Sequence, residues 1–361
     1  MSDKVIETNT RGIERTLRDL LTPPAGSTGL ADPVIVNNLD WFGNMPLLTF
    51  LRDVGKSARV GTMLAKDSVR SRMASESGIS YTEFTYQLLQ GYDFVHMAKT
   101  MGVKVQIGGS DQWGNITAGT DLVRRMLSDS DGDNEAAQED GGEHSSVECF
   151  GLTFPLLLKS DGTKFGKSES GALWLRADML SPYQLYQALL KTTDADVIKF
   201  LKMLTFMPLE EIDALELGME SPGYQPNTAQ RRLAEEVTRF VHKEDGLSQA
   251  LKATAALAPG AAGTALDPET LEAAAGDAPS VTLPVSKVVD QHLTDVMVMA
   301  GLLPSKAAVK RLIAGGGVRV NNVKIEDEHH VLTGNDLIGG RLVLLAAGKK
   351  NKVLLRIQES E

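Results

Sequence analysis

Cysteine and long apolar runs are both scarce in this sequence of 361 residues. The one cysteine, Cys149, excludes an internal disulfide framework and fits a reducing compartment. Because Cys149 lies in the apolar run VECFGLTFPLLL, we interpret it as a buried structural thiol rather than a nucleophile. No apolar run is long enough to span a membrane. The first residues mix acids and bases without an apolar core, so we expect neither a signal peptide nor an organellar transit peptide in them.

Positive charge is also in deficit, because the formal net charge is −10. The deficit is not uniform along the chain. From Pro304 to the end, ten Lys and Arg residues face six Asp and Glu residues, a net of +4, so the rest of the chain carries −14. A basic C-terminal module on an acidic body suits contact with RNA through one part of the chain.

The order of the predicted elements in the first half indicates an α/β layer. Residues 10–21 and 46–75 have helical spacing, the second with a break near Gly61, and VIVNN at 34–38 is predicted to be a short strand. TEFTYQLLQGYDFVHMAKTMG is predicted to be a helix that ends at Gly102. The alternating strand VKVQIGG and the helix NITAGTDLVRRML follow. This order of helix, strand, loop and helix favours a parallel sheet.

The second half is predicted to be helical at first and mixed at its end. Ser181 and Pro182 have the N-cap and first helical positions of one helix. An Ala/Gly/Pro-rich stretch at 253–277 is interpreted as a linker. Residues 128–144 hold seven acids and no Lys or Arg, which predicts a disordered surface insert. A chain of this length holds two or three domains, which we place at 1–178 with the insert at 128–145, at 179–282 and at 283–361.

The run IGGSDQWGN, residues 107–115, is the first candidate for a binding site. Two glycines after a strand allow the backbone to approach a ligand closely. Asp111 and Gln112 then lie at the carboxyl end of the strand, the edge where open α/β sheets bind ligands. Asp111 suits a ribose hydroxyl, and Gln112 suits a carboxylate or carbonyl. The alternative interpretation is an ordinary glycine-rich turn with a helix-capping acid.

The preceding helix carries a hydroxyl, an amide and a carboxylate on one face. Tyr86, Gln90 and Asp93 are spaced i, i+4 and i+7, so they point to the same side. Such a face suits a polar, partly cationic small molecule. The alternative is a solvated face, but the apolar residues around the three favour a packed helix.

A third candidate is the loop SDGTKFGKSES at 160–170. Asp161-Gly162 is a turn signal, and Lys164 and Lys167 flank Gly166. Two lysines on a flexible loop suit phosphate oxygens on which charge develops. The alternative is a surface turn with two solvated lysines.

Taken together, these runs resemble one enzyme family. KFGKS resembles the KMSKS signature of class I aminoacyl-tRNA synthetases. YTEFTYQLLQGYDF and QIGGSDQWGNITAG resemble tyrosyl-tRNA synthetases of the bacterial and organellar type, as do NNLDWFGNMPLLTFLRDVGK and FGLTFPLLLKSDGTKFGKSESGALWL. LPSKAAVKRLIAGGGVRVNNVKI resembles the alpha-L RNA-binding motif that ends these enzymes. The resemblance covers nearly the whole chain except the acidic insert and the Ala-rich linker.

The resemblance implies a fold and a role for each candidate residue. The fold would be α/β, with a partial Rossmann-like nucleotide-binding domain lacking its first strands, an all-helical domain for the anticodon arm, and a small α+β alpha-L domain. In the tyrosine pocket, Asp93 would accept the phenolic hydroxyl, Tyr86 and Gln90 would hold the α-ammonium group, and Asn38 and Gln106 would line the wall. Around the adenylate, Gly109 and Asp111 would hold the ribose, Gln112 would contact the substrate carbonyl, and Lys164, Lys167 and Ser168 would contact the pyrophosphate. The residues implied to contact RNA phosphates are Lys306, Lys310, Arg311 and Arg319.

The implied activity is tyrosine–tRNA ligation in two steps. Tyrosine would attack the α-phosphate of ATP, and the adenylate would pass tyrosine to the 3′ end of tRNA(Tyr). ATP would come with Mg²⁺ as a substrate; we expect no protein-bound metal and no tightly bound cofactor. The resemblance also implies a homodimer and no membrane partner. The location would be a mitochondrion or chloroplast in a eukaryote, and otherwise the cytoplasm.

One motif of the family has no counterpart, because no His-x-x-His run of the HIGH type occurs in the sequence and the first histidine is His96. We expect the strands that carry this motif to precede residue 1. The explanations are an incomplete gene sequence, an alternative start or splice form, or a non-catalytic relative that binds RNA. Tryptophanyl-tRNA synthetase is a further candidate family, but Asp93 and the C-terminal RNA module argue against it.

Overall fold

The computed structural model describes residues 2–24, 26–76, 78–128, 148–168, 171–258, 268–274, 280–348 and 351–358. Its contacts define two compact units: a central unit, residues 34–165, and a flanking unit, residues 1–33 with 166–361. None of the described helices is both long and apolar enough to cross a bilayer.

The helices and strands are numbered in chain order, apart from short 3₁₀ turns. The helices are α1 (Asp3–Leu21), α2 (Leu39–Phe42), α3 (Leu47–Asp53), α4 (Val60–Leu64), α5 (Asp67–Met73), α6 (Tyr81–Met101), α7 (Trp113–Ser128), α8 (Pro182–Leu190), α9 (Asp194–Leu204), α10 (Leu209–Met219), α11 (Thr228–Leu257), α12 (Pro268–Ala274), α13 (Leu293–Met299) and α14 (Lys306–Ala314). The strands are β1 (Val105–Gly109), β2 (Phe150–Phe154), β3 (Lys167–Ser168), β4 (Gly171–Ala172), β5 (Ser280–Pro284), β6 (Gln291–His292), β7 (Val318–Val320), β8 (Val323–Lys324), β9 (Val331–Leu332), β10 (Leu342–Ala347) and β11 (Asn351–Gln358).

Helix α6 is defined at both ends by its own sequence. Ser80 and Glu83 form a reciprocal capping box at the start, which satisfies two backbone N–H groups of the first turn. Gly102 ends the helix in the left-handed conformation, with φ 68°, where a side chain would be strained. The predicted helix and its end at Gly102 are therefore confirmed.

The core of the central unit lies between α6 and α7. Phe94 and Val95 of α6 pack against Leu122 and Val123 of α7, and all four are buried. Cys149 packs at the edge of this core and is only half-buried, rather than buried as predicted. Burial raises the pKa of its thiol, which agrees with a structural rather than a nucleophilic role.

Strands β1 and β2 form a parallel pair, in register from Val105 opposite Phe150 to Gly109 opposite Phe154. The predicted strand and its parallel pairing are thus confirmed. One face of the pair lies against α7, because Ile116 fits into the space left by the missing side chains of Gly108 and Gly151. The carboxyl end of β1 leads directly to the start of α7, so IGGSDQWGN lies at the sheet edge that parallel pairing exposes to ligands.

Gly151→Ala is expected to destabilise the central unit by about 1–3 kcal/mol, because its Cβ would lie 2.4 Å from Cγ2 of the buried Ile116. Urea unfolding followed by circular dichroism measures the change. Gly114→Ala is the control, since it lies in a helix and nothing is within 4 Å of the place that its new methyl group would occupy. Equal stability of the two variants would contradict the close packing of α7 on the strands.

One prediction for the central unit is wrong. Residues 34–38 form no strand, because no other described strand pairs with them, and Val34 and Val36 are exposed. Residues 46–75 are largely helical as predicted, in three short helices and a 3₁₀ turn. The break predicted near Gly61 lies at Ala58 and Arg59, and a second, unpredicted break lies at Lys66; all three backbones are extended.

The flanking unit begins with the helix α1, which starts at Asp3 rather than at residue 10. It continues with a bundle in which α11 packs along α8. At the start of α8, Ser181 forms the predicted cap with Gln184, and Pro182 is the first helical residue. A five-stranded sheet in the order β5-β11-β10-β7-β8 follows, with α13 and α14 packed on its apolar core.

The predicted linker at 253–277 is partly helical. Helix α11 continues to Leu257, and α12 covers 268–274, because Ala253, Ala256 and Leu271 are buried. Strand β5 starts at Ser280, before the proposed boundary at 283, and pairs with β11. The acidic insert predicted at 128–145 lies outside the described residues beyond Ser128.

Candidate functional site

Four polar side chains meet where α6 passes the start of α7. Gln90 Nε2 donates to Gln112 Oε1 at 3.4 Å, and Asn115 Nδ2 donates to the same oxygen at 3.2 Å. Asn115 Nδ2 also lies 3.2 Å from the hydroxyl oxygen of Tyr86. We call these four residues, Tyr86, Gln90, Gln112 and Asn115, the amide cluster. It joins the predicted helix face to the predicted loop, which sequence alone could not connect.

Lys66 adds a positive charge to the amide cluster. Its Nζ donates to Asn115 Oδ1 at 3.3 Å, which fixes the orientation of the Asn115 amide. Burial lowers the pKa of the Lys66 ammonium, because the charged form loses contact with water. Asn115 is itself buried, whereas Tyr86 is 38% exposed, so the cluster extends from the interior to the surface.

Asp93 is held by two donors from the segment before α3. The indole Nε1 of Trp41 donates to Oδ1 at 2.9 Å, and Asn38 Nδ2 donates to Oδ2 at 3.4 Å. Burial raises the pKa of the Asp93 carboxyl, while the bonds from Trp41 and Asn38 and the nearby His96 oppose the increase. The ring of His96 stacks on Trp41 at 4.4 Å between ring centroids. A half-buried carboxylate that accepts from Trp41 and Asn38 retains lone pairs for a ligand hydroxyl.

Strand β1 and the turn after it contribute three more predicted residues, Gly109, Asp111 and Gln106. A Cβ on Gly109 would lie 2.7 Å from Asp111 Oδ1, so only glycine allows this carboxylate to fold back on the strand. Gln112 Nε2 donates to Asp111 Oδ2 at 3.4 Å and links Asp111 to the amide cluster. The Oε1 atom of Gln106 is buried and accepts no hydrogen bond from the described protein atoms. Such an oxygen has capacity for a ligand donor.

The lysine-rich loop begins with a tight hairpin in the central unit. The backbone of Lys159 bonds to Thr163, and Phe165 bonds to Leu157. The tip is the predicted turn, with Gly162 at φ 81° and the Asp161 carboxylate accepting from Thr163. Lys164 is exposed on this hairpin. Lys167 and Ser168 form β3 of the flanking unit, and their side chains lie outside the described part.

The predicted RNA-binding residues lie in the C-terminal sheet region. Lys306, Lys310 and Arg311 are on α14, and Arg319 is on β7. Lys306 is paired with Asp295, and Lys310 Nζ lies 3.6 Å from Glu328. Arg311 is exposed and has no carboxylate within salt-bridge distance in the described ranges. Arg319 also has no carboxylate within salt-bridge distance in the described part but is half-buried, so Arg311 has the most exposed unpaired charge of the four.

Sequence reasoning missed three residues of the site: Trp41, Lys66 and Asn115. Trp41 and Asn115 lie inside NNLDWFGN and SDQWGN, so their side-chain chemistry was visible in the motifs themselves. No sequence pattern marked Lys66 as a site residue, because it is 49 residues from Asn115 and lies outside the motifs. The described part of the chain contains no group of three or more His, Cys, Asp or Glu residues that could hold a metal ion.

Comparison with known proteins assigns the class of this chain. The family described as "tRNA synthetases class I (W and Y)" matches residues 2–258, and the "Tyrosine--tRNA ligase SYY-like C-terminal domain" matches residues 270–355. The chain therefore belongs to the class I tRNA synthetases of the tryptophan and tyrosine group, and its Rossmann-like, helical and C-terminal sheet parts agree with the predicted fold class.

Comparison along nearly the whole of this chain narrows the class. The chain is 53% identical over 355 residues to "Tyrosine--tRNA ligase, chloroplastic/mitochondrial" of Arabidopsis thaliana, covering 98% of the chain and 65% of that protein. It is 48% identical to "Tyrosine--tRNA ligase" of Protochlamydia amoebophila, covering 99% of the chain and 79% of that protein. The chain thus belongs to the tyrosine–tRNA ligase family, as its motifs predicted.

Solved structures agree with this family. The chain is 34% identical to a C-terminally truncated mitochondrial tyrosyl-tRNA synthetase of Aspergillus nidulans, with a TM-score of 0.51 over 68% of the chain and 63% of that structure. The corresponding enzyme of Coccidioides posadasii is 36% identical, with a TM-score of 0.50 over 60% of the chain and 56% of that structure. The chain spans about two thirds or less of the length of these two proteins and of the Arabidopsis relative.

Under the tyrosine role that the motifs imply for Asp93, Trp41→Phe is expected to weaken the binding of tyrosine by roughly tenfold, because Asp93 loses one of the two donors that hold its carboxylate. Isothermal titration calorimetry measures the dissociation constant. The control is Trp174→Phe, which replaces an exposed indole of the flanking unit. Equal affinities of the wild type and Trp41→Phe would show that the indole does not position Asp93.

Proposed function

We propose that this chain is a tyrosine–tRNA ligase that activates tyrosine with ATP and transfers it to tRNA(Tyr). The observation that supports this most directly is the position of Asp93 relative to the amide cluster. Tyr86 and Asp93 are seven residues apart on α6, about 10 Å along the helix axis. The two ends of this face therefore suit a rod-shaped amino acid with an ammonium group at one end and a hydroxyl at the other.

Each end of the proposed tyrosine site has its own chemistry. Tyr86 and Gln90 would accept hydrogen bonds from the α-ammonium group of tyrosine, and Gln112 would face its carboxyl group. Asp93 would accept the phenolic O–H, with Trp41 and Asn38 holding its carboxylate in place. Gln106 would line the pocket with its unpaired oxygen. Phenylalanine would leave Asp93 unpaired, and an unpaired buried acceptor is costly.

The ATP side of the proposed reaction uses the end of β1 and the lysine loop. Gly109 and Asp111 would hold the ribose, while Lys164, Lys167 and Ser168 would contact the pyrophosphate. In-line attack on the α-phosphate depends mostly on positioning and on charge stabilisation, which these groups supply. Mg²⁺ would be held mainly by the ATP phosphates, since it commonly binds through substrate phosphates and retained waters.

The proposed partner of the C-terminal domain is tRNA. Arg311 is exposed, and Lys306, Lys310 and Arg319 lie on the same small domain, so the four would contact RNA phosphates without reading bases. We further propose that the chain forms a homodimer. Its similarity to a chloroplastic/mitochondrial relative supports an organellar location.

A second candidate function is RNA binding without catalysis. The observation that favours it is the basic C-terminal module, which carries a net charge of +4 from Pro304 to the end. The retained Tyr86, Gln90 and Asp93 favour the ligase, because a protein that only binds RNA has no use for a tyrosine site.

Tyrosine-dependent exchange of pyrophosphate into ATP separates the two functions. The ligase proposal expects exchange with tyrosine and none with phenylalanine. Filter binding of tRNA(Tyr) to the same chain is measured in parallel. Retained tRNA binding without pyrophosphate exchange would assign RNA binding without catalysis to this chain. If the chain shows neither exchange nor tRNA binding, both candidate functions are rejected.

Lys167→Ala is expected to slow formation of the adenylate by roughly 100-fold, because one cationic donor to the developing charge is removed. The affinity for tyrosine should not change, since the lysine acts on pyrophosphate. Stopped-flow fluorescence and equilibrium titration measure the two quantities. Lys252→Ala, an exposed lysine of α11, is the control. A proportional loss of tyrosine affinity would contradict a role confined to the transition state.

A further inference from the structure

His96 lies on the same face of α6 as Asp93, three residues further along and about one helical turn away. Its side chain is half-buried in the central unit. Within the described ranges, neither nitrogen of its ring forms a hydrogen bond, although its backbone oxygen accepts from the Thr100 hydroxyl. The proposed contacts to tyrosine do not include this imidazole, so its place beside Asp93 has no role assigned to it.

The ring of His96 is stacked on the indole of Trp41. The ring centroids are 4.4 Å apart, and the angle between the two ring planes is 19°. The indole Nε1 of the same Trp41 donates to Asp93 Oδ1 at 2.9 Å. Trp41 therefore contacts α6 at two points one turn apart, with its N–H edge on Asp93 and its face on His96.

The segment that supplies both donors to Asp93 has little internal support. Trp41 lies in α2, a helix of four residues in which no side chain is buried, and Asn38 is its N-cap residue without a capping side-chain bond. A single helical turn is not stable by itself, because helix nucleation is unfavourable. The positions of the two donors therefore depend on contacts with other elements.

Aromatic rings make these contacts. Phe42, the last residue of α2, lies 5.6 Å from Tyr92 on α6 and 6.2 Å from Phe50 on α3, measured between ring centroids. These contacts hold the end of α2. The rings of Trp41 and Phe42 are tilted by 52° at 6.3 Å, so the stacked partner of the indole is His96 and not Phe42.

We propose that His96 is a positioning residue for tyrosine recognition, because its ring fixes the plane of Trp41 and so directs the indole N–H to Asp93. The indole cannot tilt away from the carboxylate without losing the favourable stacked arrangement. The proposal rests on the proposed tyrosine site, and it adds a residue that does not touch the amino acid. The specificity that His96 supports is for the phenolic hydroxyl, since Asp93 would accept that group.

A double-mutant cycle on tyrosine affinity, measured by titration calorimetry, tests this role. His96→Ala should weaken tyrosine binding by roughly fivefold, because the indole N–H is still present but less well directed. In the Trp41→Phe background, His96→Ala should change the affinity by less than about twofold, since no N–H remains to be directed. The affinity for phenylalanine, which has no hydroxyl for Asp93, should be nearly the same in all four proteins.

Two matched substitutions separate stacking from the charge of the imidazole. His96→Phe keeps a flat ring and should keep the tyrosine affinity within about twofold of the wild type. His96→Leu has no ring and should lose as much affinity as His96→Ala. Phenylalanine and leucine both fill the space of the imidazole, so this comparison holds even where His96→Ala does not fold. Lys99→Ala, an exposed residue near the end of α6, is the control and should bind tyrosine normally.

The hydrogen bond from Trp41 can also be followed without tyrosine. The chain has three tryptophans, so labelling with ¹⁵N-tryptophan gives three indole N–H signals, and Trp41→Phe identifies the signal of Trp41. Exchange of this N–H with water should be roughly fivefold faster in His96→Leu than in the wild type, because the bond to Asp93 opens more often. His96→Phe should keep the exchange rate of the wild type.

Three outcomes would overturn the proposal. Equal tyrosine affinities or equal exchange rates of His96→Leu and the wild type would show that stacking does not direct the indole. Equal losses in His96→Phe and His96→Leu would assign the effect to the charge of the imidazole. A full effect of His96→Ala in the Trp41→Phe background would show that His96 does not act through Trp41. If the wild type binds no tyrosine, the proposed ligase function fails, while the exchange rates still decide whether His96 positions Trp41.

Discussion

Asp93→Asn is expected to lower the affinity of the chain for tyrosine by about two to three orders of magnitude. The carboxylate is half-buried and already bonded to Trp41 and Asn38, so the phenol would be its third partner. An amide cannot match a carboxylate as acceptor, and its NH₂ group would oppose a donor on one side. Titration calorimetry measures the loss. Asp67→Asn, whose side chain is almost fully exposed, should bind tyrosine normally.

The stability of the wild type relative to the same variant should increase as the pH falls from neutral to below about 4, by about 1 kcal/mol or less. Burial raises the pKa of Asp93 in the folded state. A raised carboxyl pKa stabilises the fold below the ordinary carboxyl range, and this contribution is lost as the pH rises through the folded pKa. The amide of Asp93→Asn does not titrate, so only the wild type has this contribution. A stability difference between the two proteins that stays constant from neutral pH to about pH 3 would contradict a carboxyl pKa raised by burial.

Phe94→Ala is expected to destabilise the central unit by about 3–5 kcal/mol, because it removes a large side chain from a close-packed core. Phe94 is fully buried against Val54, Leu122 and Val123. It also lies against Gly119 of α7, where a Cβ would come within 3.4 Å of the ring. The preceding residue in the chain is Asp93, so the packing of Phe94 on α7 fixes the helix that presents the tyrosine site.

Urea unfolding measures the change, and two variants of the same helix are the references. Phe94→Leu keeps most of the buried volume, so it should lower the free energy of unfolding by less than half as much as Phe94→Ala does. Tyr81→Ala removes an exposed ring at the start of α6 and should stay within about 0.5 kcal/mol of the wild type. Similar decreases in the free energy of unfolding for Phe94→Ala and Tyr81→Ala would show that packing against α7 does not hold α6 in place.

The elements around the site were predictable because their signals are local. Helix α6 has a capping box at one end and glycine at the other, and the β1 sequence alternates in the way of a strand. Residues 34–38 were misassigned because their alternation is that of a strand, while a strand also requires a partner that pairs with it. The helical breaks at Ala58, Arg59 and Lys66 follow from tertiary packing, which helical spacing alone does not report.

The site was only partly predictable for a similar reason. Tyr86, Gln90 and Asp93 share a helix face, so their common direction follows from spacing alone. The contact from Trp41 to Asp93 spans 52 residues, and the contact from Lys66 to Asn115 spans 49. Neither separation corresponds to any regular period, so both contacts depend on the tertiary fold. The raised pKa of Asp93 depends on the same fold, because burial is its main cause.

The face of α6 between the amide cluster and Asp93 is the proposed tyrosine site, on which the ligase function depends. Calorimetric titration of the 361-residue chain with L-tyrosine and, separately, with L-phenylalanine tests it most directly. We predict saturable binding of tyrosine, with phenylalanine weaker by at least about tenfold, because the half-buried Asp93 acceptor would lose its hydroxyl partner. Equal binding of the two amino acids, or no binding of tyrosine, would contradict this assignment.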